Sequence, residues 1–256
     1  MSRIRVGCAG WTGRAAAYWK AFDVLELSEA QSSARAATHR RWRTRSPADI
    51  EIIPQLSPDA ALAGFQGAVA ARAWTDALAT VERLGAQTLW VRTPPSFRPS
   101  RENRDALTAF FRQERPEGLD IAWRAEGLWD SQPEDRNALC ERAGLLPIID
   151  PLALDEEELE DAEVFPQGPA VYWRLLGRPG GGTRFSESHF DLLVSLLEGR
   201  ERGAVIFGAA VMAGDARRFR TLLQLAGQAV ADEALDDDAE VDGEDADDFE
   251  PDDEET

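Results

Sequence analysis

Short apolar runs alternate along this chain with longer segments in which apolar residues recur at helical spacing. The stretch from 69 to 84 shows the second pattern, because Trp74, Leu78 and Val81 share one face of a helix. Several short runs are apolar on both faces, as strands inside a parallel sheet are. Strands are predicted at 4–11, 22–27, 50–55, 88–92, 119–124, 145–150, 171–175 and 204–207.

Helices are predicted between these strands, and the acidic stretch 155–163 is predicted as a weak helix or a loop. The helical segments are 14–20, 33–43, 69–84, 103–113, 133–143, 186–197 and 216–225. Strands that alternate with helices of this length imply βαβ units and a parallel sheet. Eight such repeats in about 230 residues favour a TIM-like (β/α)8 barrel over an open doubly wound sheet. The G-x-G-x-x-G fingerprint of dinucleotide-binding sheets is absent after the first strand.

Charge divides the chain into two parts. The net charge is −19, yet 16 Asp and Glu and no Lys or Arg lie in residues 232–256. The rest holds 31 acids and 28 bases, a net charge of −3. We therefore predict a barrel domain at 1–231 and a disordered acidic C-terminal tail at 232–256. The tail either keeps the protein in solution, docks a basic protein partner, or covers a basic site of the barrel.

The remaining composition argues against several classes of protein. Cys8 and Cys140 fall in predicted buried elements, which indicates no disulfide framework and favours a reducing, cytoplasmic location. No apolar run approaches the roughly 20 residues that span a bilayer, and no signal peptide precedes the first strand, so no membrane contact is expected. A basic cluster lies between Arg35 and Arg45, but the near-neutral barrel domain argues against a nucleic-acid interface.

The C-terminal ends of the strands form the active face of a barrel of this type. The residues predicted there are Trp11, Glu26, Gln55, Arg92, Arg124, Asp150 and Arg174. Three arginines and two acids leave a positive surplus, and a guanidinium group can hold a phosphate or carboxylate through two parallel hydrogen bonds. We therefore predict that the three arginines bind a small anionic ligand, with Trp11 beside it. The alternative is that the arginines only form structural ion pairs with the acids.

Few groups at these strand ends could move protons. Glu26 and Asp150 are the candidate catalytic acid and base, although any two acids at strand ends would show the same pattern. His39 and His189 fall in predicted helices, and no Cys or His cluster has metal-binding spacing, so neither a metal nor another cofactor is predicted. The glycine run at 180–182 is a weak candidate for a phosphate-binding loop.

Six short motifs follow one another in register. They are Gly-Cys-Ala-Gly-Trp at 7–11, Phe-Asp-Val-Leu-Glu at 22–26, Pro-Pro-Ser-Phe at 94–97, Ile-Ala-Trp-Arg at 121–124, Tyr-Trp-Arg-Leu-Leu-Gly at 172–177 and Arg-Phe-Ser at 184–186. They resemble the G-T-S-G-W, F-N-T-V-E, Q-L-P-P-S-F, V-E-F-R, Y-x-R-x-H-G and R-Y-S motifs of the YecE-like family, also known as domain of unknown function 72 (DUF72). The resemblance implies a TIM-barrel-like fold. That family has been compared with sugar isomerases, but its activity is not established.

The departures from this family fall on groups that could move protons. Its motif histidine is Leu176 here, its motif glutamate is Ala122, and its third-strand lysine is Gln55. Charged residues that shape the pocket remain, namely Glu26, Arg124, Asp150 and Arg174. Two hypotheses follow. One is a barrel that binds a small anionic, sugar-phosphate-like ligand and whose chemistry is altered or lost. The other is a catalytically degenerate barrel that acts as an interaction protein through its acidic tail.

Overall fold

Eight parallel strands form the centre of the molecule. The computed structural model describes residues 3–112, 115–177, 185–208 and 213–240, with side chains described for 4–227 within these ranges. The strands are β1 (Arg3–Ala9), β2 (Val24–Glu26), β3 (Glu51–Ile53), β4 (Thr88–Arg92), β5 (Asp120–Arg124), β6 (Leu146–Ile149), β7 (Ala170–Leu175) and β8 (Arg202–Phe207). Their order is β3-β2-β1-β8-β7-β6-β5-β4, and the neighbouring strands in this order are parallel.

Backbone hydrogen bonds join the two ends of this order. The N–H of Leu56 donates to the carbonyl oxygen of Trp90 at 2.9 Å, and the N–H of Trp90 donates to the carbonyl oxygen of Pro54 at 3.0 Å. These bonds connect the segment after β3 to β4 and close the sheet on itself. The predicted TIM-like barrel is therefore confirmed.

Helices cover the outside of the barrel. They are α1 (Ala15–Ala21), α2 (Glu29–Ser32), α3 (Ala36–Arg45), α4 (Pro58–Leu62), α5 (Gly67–Leu84), α6 (Arg101–Phe111), α7 (Pro133–Ala143), α8 (Glu156–Glu160), α9 (Glu187–Leu196) and α10 (Ala213–Glu240). The sequence pattern does not predict α2 and α4, because helices of 4 and 5 residues are too short to show a helical period. Each starts after a serine, Ser28 or Ser57, whose hydroxyl accepts a hydrogen bond from the first turn.

Some predicted features lie outside the described residues. These are the glycine run 180–182, the arginine of the motif at 184–186, and most of the acidic tail, since 241–256 are not described. The backbone of α10 continues into the first part of that tail. No described helix combines the length and the apolar character needed to cross a bilayer.

The barrel interior has an apolar layer beneath a charged layer. Side chains alternate across each strand, so every second residue points inward. The apolar interior layer is Val24, Ile53, Trp90, Ala122, Ile148, Tyr172, Ala204 and Ile206. The next inward positions toward the C-terminal ends of β2, β4, β5 and β7 are Glu26, Arg92, Arg124 and Arg174. The fold therefore gathers these charged residues at one end of the barrel.

Candidate functional site

A cleft of about 750 Å³ opens at the C-terminal end of the barrel. Its lining includes Glu26 from β2, Trp90 and Arg92 from β4, and Arg174 from β7. Glu29 on α2 and Glu126 after β5 complete the charged part of the lining, which therefore carries three carboxylates and two guanidinium groups. The cleft is therefore built where barrels of this type carry their ligands.

Glu26 anchors the floor of this cleft. Its side chain is 1% exposed, and both carboxylate oxygens accept a hydrogen bond. The hydroxyl of Tyr172 donates to Oε2 at 2.7 Å, and Nε of Arg174 donates to Oε1 at 2.9 Å. Burial, followed by the charge of Glu26, raises the pKa of Tyr172 well above its ordinary value, so the phenol stays protonated as a donor. Both partners of Glu26 come from β7, so one carboxylate fixes two side chains of that strand.

Arg174 is held in place from two directions. Besides its bond to Glu26, its guanidinium carbon lies 5.5 Å from the centre of the Trp90 ring, which is a cation–π contact. The Trp90 ring is itself fixed, because its indole N–H donates to the carbonyl oxygen of Leu27 at 2.9 Å. Among the described residues, none accepts a hydrogen bond from the terminal amino groups of Arg174. Arg174 therefore uses Nε for anchoring, and its terminal donors have no acceptor among the described residues.

Two further arginines share one carboxylate. Arg92 binds Glu126 through two hydrogen bonds, Nε to Oε1 at 2.7 Å and Nη2 to Oε2 at 3.0 Å. Nε of Arg124 lies 3.4 Å from the same Oε1 of Glu126. Burial, followed by the positive charge of Arg174, lowers the pKa of Arg124, which places these two guanidinium groups in each other's field. Three arginines thus make direct ion pairs with only two carboxylates within the described residues.

Asp150 has a different role from Glu26 in the described structure. Its Oδ1 accepts from the N–H of Leu152 at 3.2 Å, and its Oδ2 accepts from the N–H of Leu176 at 2.9 Å. Burial raises the pKa of Asp150, while these two N–H groups and then Arg124 oppose the rise. The described residues show no ion pair between Asp150 and an arginine. The hydrogen bond that Asp150 accepts from Leu176 connects the end of β6 to the loop after β7.

Trp11 lies in an aromatic cluster outside the cleft lining. Its ring centre is 4.8 Å from that of Trp19, 5.6 Å from that of Tyr18 and 5.8 Å from that of Trp42, all in edge-to-face geometry. Of the predicted site residues, Glu26, Arg92 and Arg174 line the cleft, whereas Arg124, Trp11 and Asp150 do not. Arg124 is connected to the lining through its ion pair with Glu126. That Trp11 contacts a ligand stays a prediction.

Sequence reasoning missed Tyr172, Trp90 and Glu126. A signal existed for the first two, because Tyr172 precedes Arg174 and Trp90 precedes Arg92 by two residues on the same face of a strand. Glu126 lies in the loop after β5, where no periodicity indicates direction. Its partnership with Arg92 depends on how two neighbouring strand ends meet.

Within the described residues, no group of three or more His, Cys, Asp or Glu side chains is placed to hold a metal ion. His39 is buried, and its Nε2 lies 3.0 Å from the carbonyl oxygen of Gln31. His189 caps α9 through Nδ1, which accepts from the N–H of Ser186 at 3.1 Å. Both histidines thus contact their own surroundings on helices, away from the cleft.

Comparison with known proteins identifies solved structures of the same fold. No protein-family model matches the sequence, and no curated protein matches it significantly. A DUF72 family protein from Thermotoga maritima is 16% identical, with a TM-score of 0.62 over 87% of this chain and 99% of that one. A DUF72 family protein from Enterococcus faecalis is 15% identical, with a TM-score of 0.63 over 89% of this chain and 98% of that one.

A third solved structure is a fusion of a xylose isomerase-like TIM barrel and 4-hydroxyphenylpyruvate dioxygenase. It is 14% identical, with a TM-score of 0.57 over 85% of this chain and 42% of that one. At such identities the likeness shows the fold alone. The chain therefore has the TIM-barrel fold of two DUF72 family proteins, in agreement with the resemblance of its sequence motifs.

Proposed function

We propose that this protein is a divergent YecE-like barrel that binds a small organic anion at the C-terminal end of its strands. The observation that carries the proposal is the set of unused guanidinium donors beside the cleft. Within the described residues, no hydrogen bond engages the terminal amino groups of Arg174 or any guanidinium nitrogen of Arg124. These donors are not among the buried side-chain atoms that lack a partner, so solvent reaches them, and a phosphate or carboxylate could replace that water through charge-assisted hydrogen bonds.

The surrounding residues support defined roles in binding. Arg174 holds the anion from the cleft lining, and Arg124, which pairs with Glu126 next to that lining, is the second arginine proposed to hold it. Arg92, whose side chain is 55% exposed, assists from the rim. Glu26 orients Arg174, as its hydrogen bond to Nε supports. The cleft volume of about 750 Å³ suits a molecule of the size of a sugar phosphate.

Binding is a better-supported function than turnover. Glu26 and Asp150 remain the candidate acid and base, but both oxygens of each carboxylate already accept hydrogen bonds. These hydrogen bonds occupy the oxygen atoms that would have to accept a proton from a substrate. Leu176, where the YecE-like motif has histidine, removes a further proton carrier, so we propose that the chemistry of this barrel is altered or lost.

Thermal unfolding in the presence of phosphate esters and carboxylic acids tests the proposal. Ligands that bind only the folded state raise the unfolding temperature. We expect at least one organic anion to do so with the wild type and to fail with Arg174→Gln. Arg101→Gln is the matched control, because Arg101 is 97% exposed on α6, and it should respond like the wild type. If no anion in the screen moves the unfolding temperature of the wild type, the proposal is wrong.

A further inference from the structure

We infer that the bound anion also carries an apolar body, which lies against one wall of the cleft. This inference rests on the proposed function and specifies its ligand. The wall consists of Pro58 and Leu62 on α4 and Pro94 and Pro95 after β4, all in the cleft lining. These residues line the same cleft as Arg92 and Arg174, so one ligand can contact both a guanidinium group and hydrocarbon.

Leu62 is the residue that points to this ligand. Its side chain is 69% exposed, the highest value among the large apolar residues that the structure describes as exposed. A single exposed leucine needs no explanation by itself. Leu62, however, lines the same cleft as three prolines, two arginines and three glutamates. Covering it with a ligand would remove apolar surface from water.

The prolines make this wall rigid and poor in donors. Proline has no backbone N–H and a fixed φ, so the wall offers hydrocarbon where other residues would offer hydrogen-bond donors. Pro95 also packs closely against Gly127. A Cβ atom added to Gly127 would lie only 2.9 Å from the Cα of Pro95. The positive φ of 72° at Gly127 suits glycine as well. The backbone of this wall is therefore restricted at its three prolines.

Such a wall favours alkyl or aryl phosphates and carboxylates over polyol phosphates. A hydroxyl group placed against Leu62 or the proline rings would lose its water without gaining a partner, which is unfavourable. A methylene group in the same place gains affinity, by up to about fourfold per buried CH₂. The ligand class is thus a small anion with a hydrocarbon body.

A homologous series tests this inference by calorimetric titration. The probes are inorganic phosphate, methyl phosphate, butyl phosphate and hexyl phosphate. Glucose 6-phosphate is the polyol phosphate to which they are compared. With the wild type we expect affinity to rise by at least tenfold from methyl to hexyl phosphate, and glucose 6-phosphate to bind no tighter than methyl phosphate. Leu62→Ser should reduce the gain along the series severalfold while leaving inorganic phosphate unchanged.

The matched control is Leu225→Ser, because Leu225 is 56% exposed on α10, away from the cleft lining. It should retain the wild-type gain along the series. If methyl and hexyl phosphate bind the wild type equally, or glucose 6-phosphate binds tightest, the inference that the ligand has an apolar body is wrong. The proposal that the cleft binds an anion is then unaffected. If no probe binds the wild type, both this inference and the proposed function fail. Loss of inorganic phosphate binding in Arg174→Gln separates specific anion binding from adsorption to the surface.

Discussion

Nε of Arg174 donates to Oε1 of Glu26 at 2.9 Å, although 148 residues separate them in the chain. Arg174 lies on β7 and Glu26 on β2, and β1 and β8 lie between these strands in the sheet. The contact therefore crosses the barrel interior. It ties two sides of the barrel together and leaves the terminal donors of Arg174 without an acceptor among the described residues.

Glu26→Gln should destabilise the fold. The change leaves the half-buried Arg174 without its counter-charge, and we expect a loss of about 2–3 kcal/mol in the free energy of unfolding. Urea denaturation measures this loss. The double variant Glu26→Gln, Arg174→Met should be more stable than Glu26→Gln alone, because it no longer buries an unpaired charge. A single variant as stable as the wild type would show that the pair contributes nothing.

Glu126→Gln should strengthen anion binding. Glu126 neutralises Arg92 and lies close to Arg124, so its removal raises the positive potential at the cleft. We expect affinity for phosphate to rise severalfold at low ionic strength and the gain to shrink as salt is added. Calorimetric titration at two salt concentrations measures both. Weaker binding at low salt would mean that Glu126 serves mainly to orient Arg92.

Asp150 should make stability depend on pH in a defined direction. Burial raises its pKa in the folded state, so the folded protein binds this proton more tightly than the unfolded chain. This contribution to stability is fully present below the unfolded pKa of about 3.9 and is lost as pH rises through the folded pKa.

Asp150→Asn lacks this titration and serves as the comparison. The free energy of unfolding of the wild type, relative to that of Asp150→Asn, should fall as pH rises from about 4 to about 7. Urea titrations at matched pH values measure the difference. A relative stability that rises with pH would mean that the N–H groups of Leu152 and Leu176, with Arg124, outweigh burial.

Gly7→Ala should disrupt the contact between β1 and β2. A Cβ on Gly7 would lie 1.9 Å from the carbonyl oxygen of Val24, so the paired strands would have to separate. We expect a loss of about 3 kcal/mol or more in the free energy of unfolding. Gly168→Ala is the control, because nothing lies within 4 Å of its added Cβ. Equal stability of the two variants would contradict this account of β1.

Removal of residues 232–256 should strengthen phosphate binding at low salt. Deletion changes the net charge from −19 to −3 and so removes repulsion of an anionic ligand. Because a Debye length is about 8 Å at physiological ionic strength, the gain should disappear in high salt. Calorimetry on the intact chain and on 1–231 measures it. If the gain in phosphate affinity persists in high salt, the tail covers the cleft directly. If deletion of the tail does not change the affinity, the charge of the tail does not influence the cleft.

The sequence by itself determined the barrel and the location of its charged end. Alternating strand and helix patterns are local, since period and length are set within each segment, and the predicted strands 88–92 and 119–124 agree with β4 and β5 to within one residue. The strand-end position of Arg92, Arg124 and Arg174 follows from the same local pattern.

Only the tertiary structure decided which of these charges meet. Closure of the sheet between β3 and β4, together with the register of each strand pair, sets the distances across the interior. These long-range relationships pair Arg174 with Glu26 and bring Glu126 to Arg92. The sequence treats Glu26 and Asp150 alike, as acids at strand ends. Burial and neighbours make Glu26 the partner of an arginine, and make Asp150 the acceptor of two backbone N–H groups.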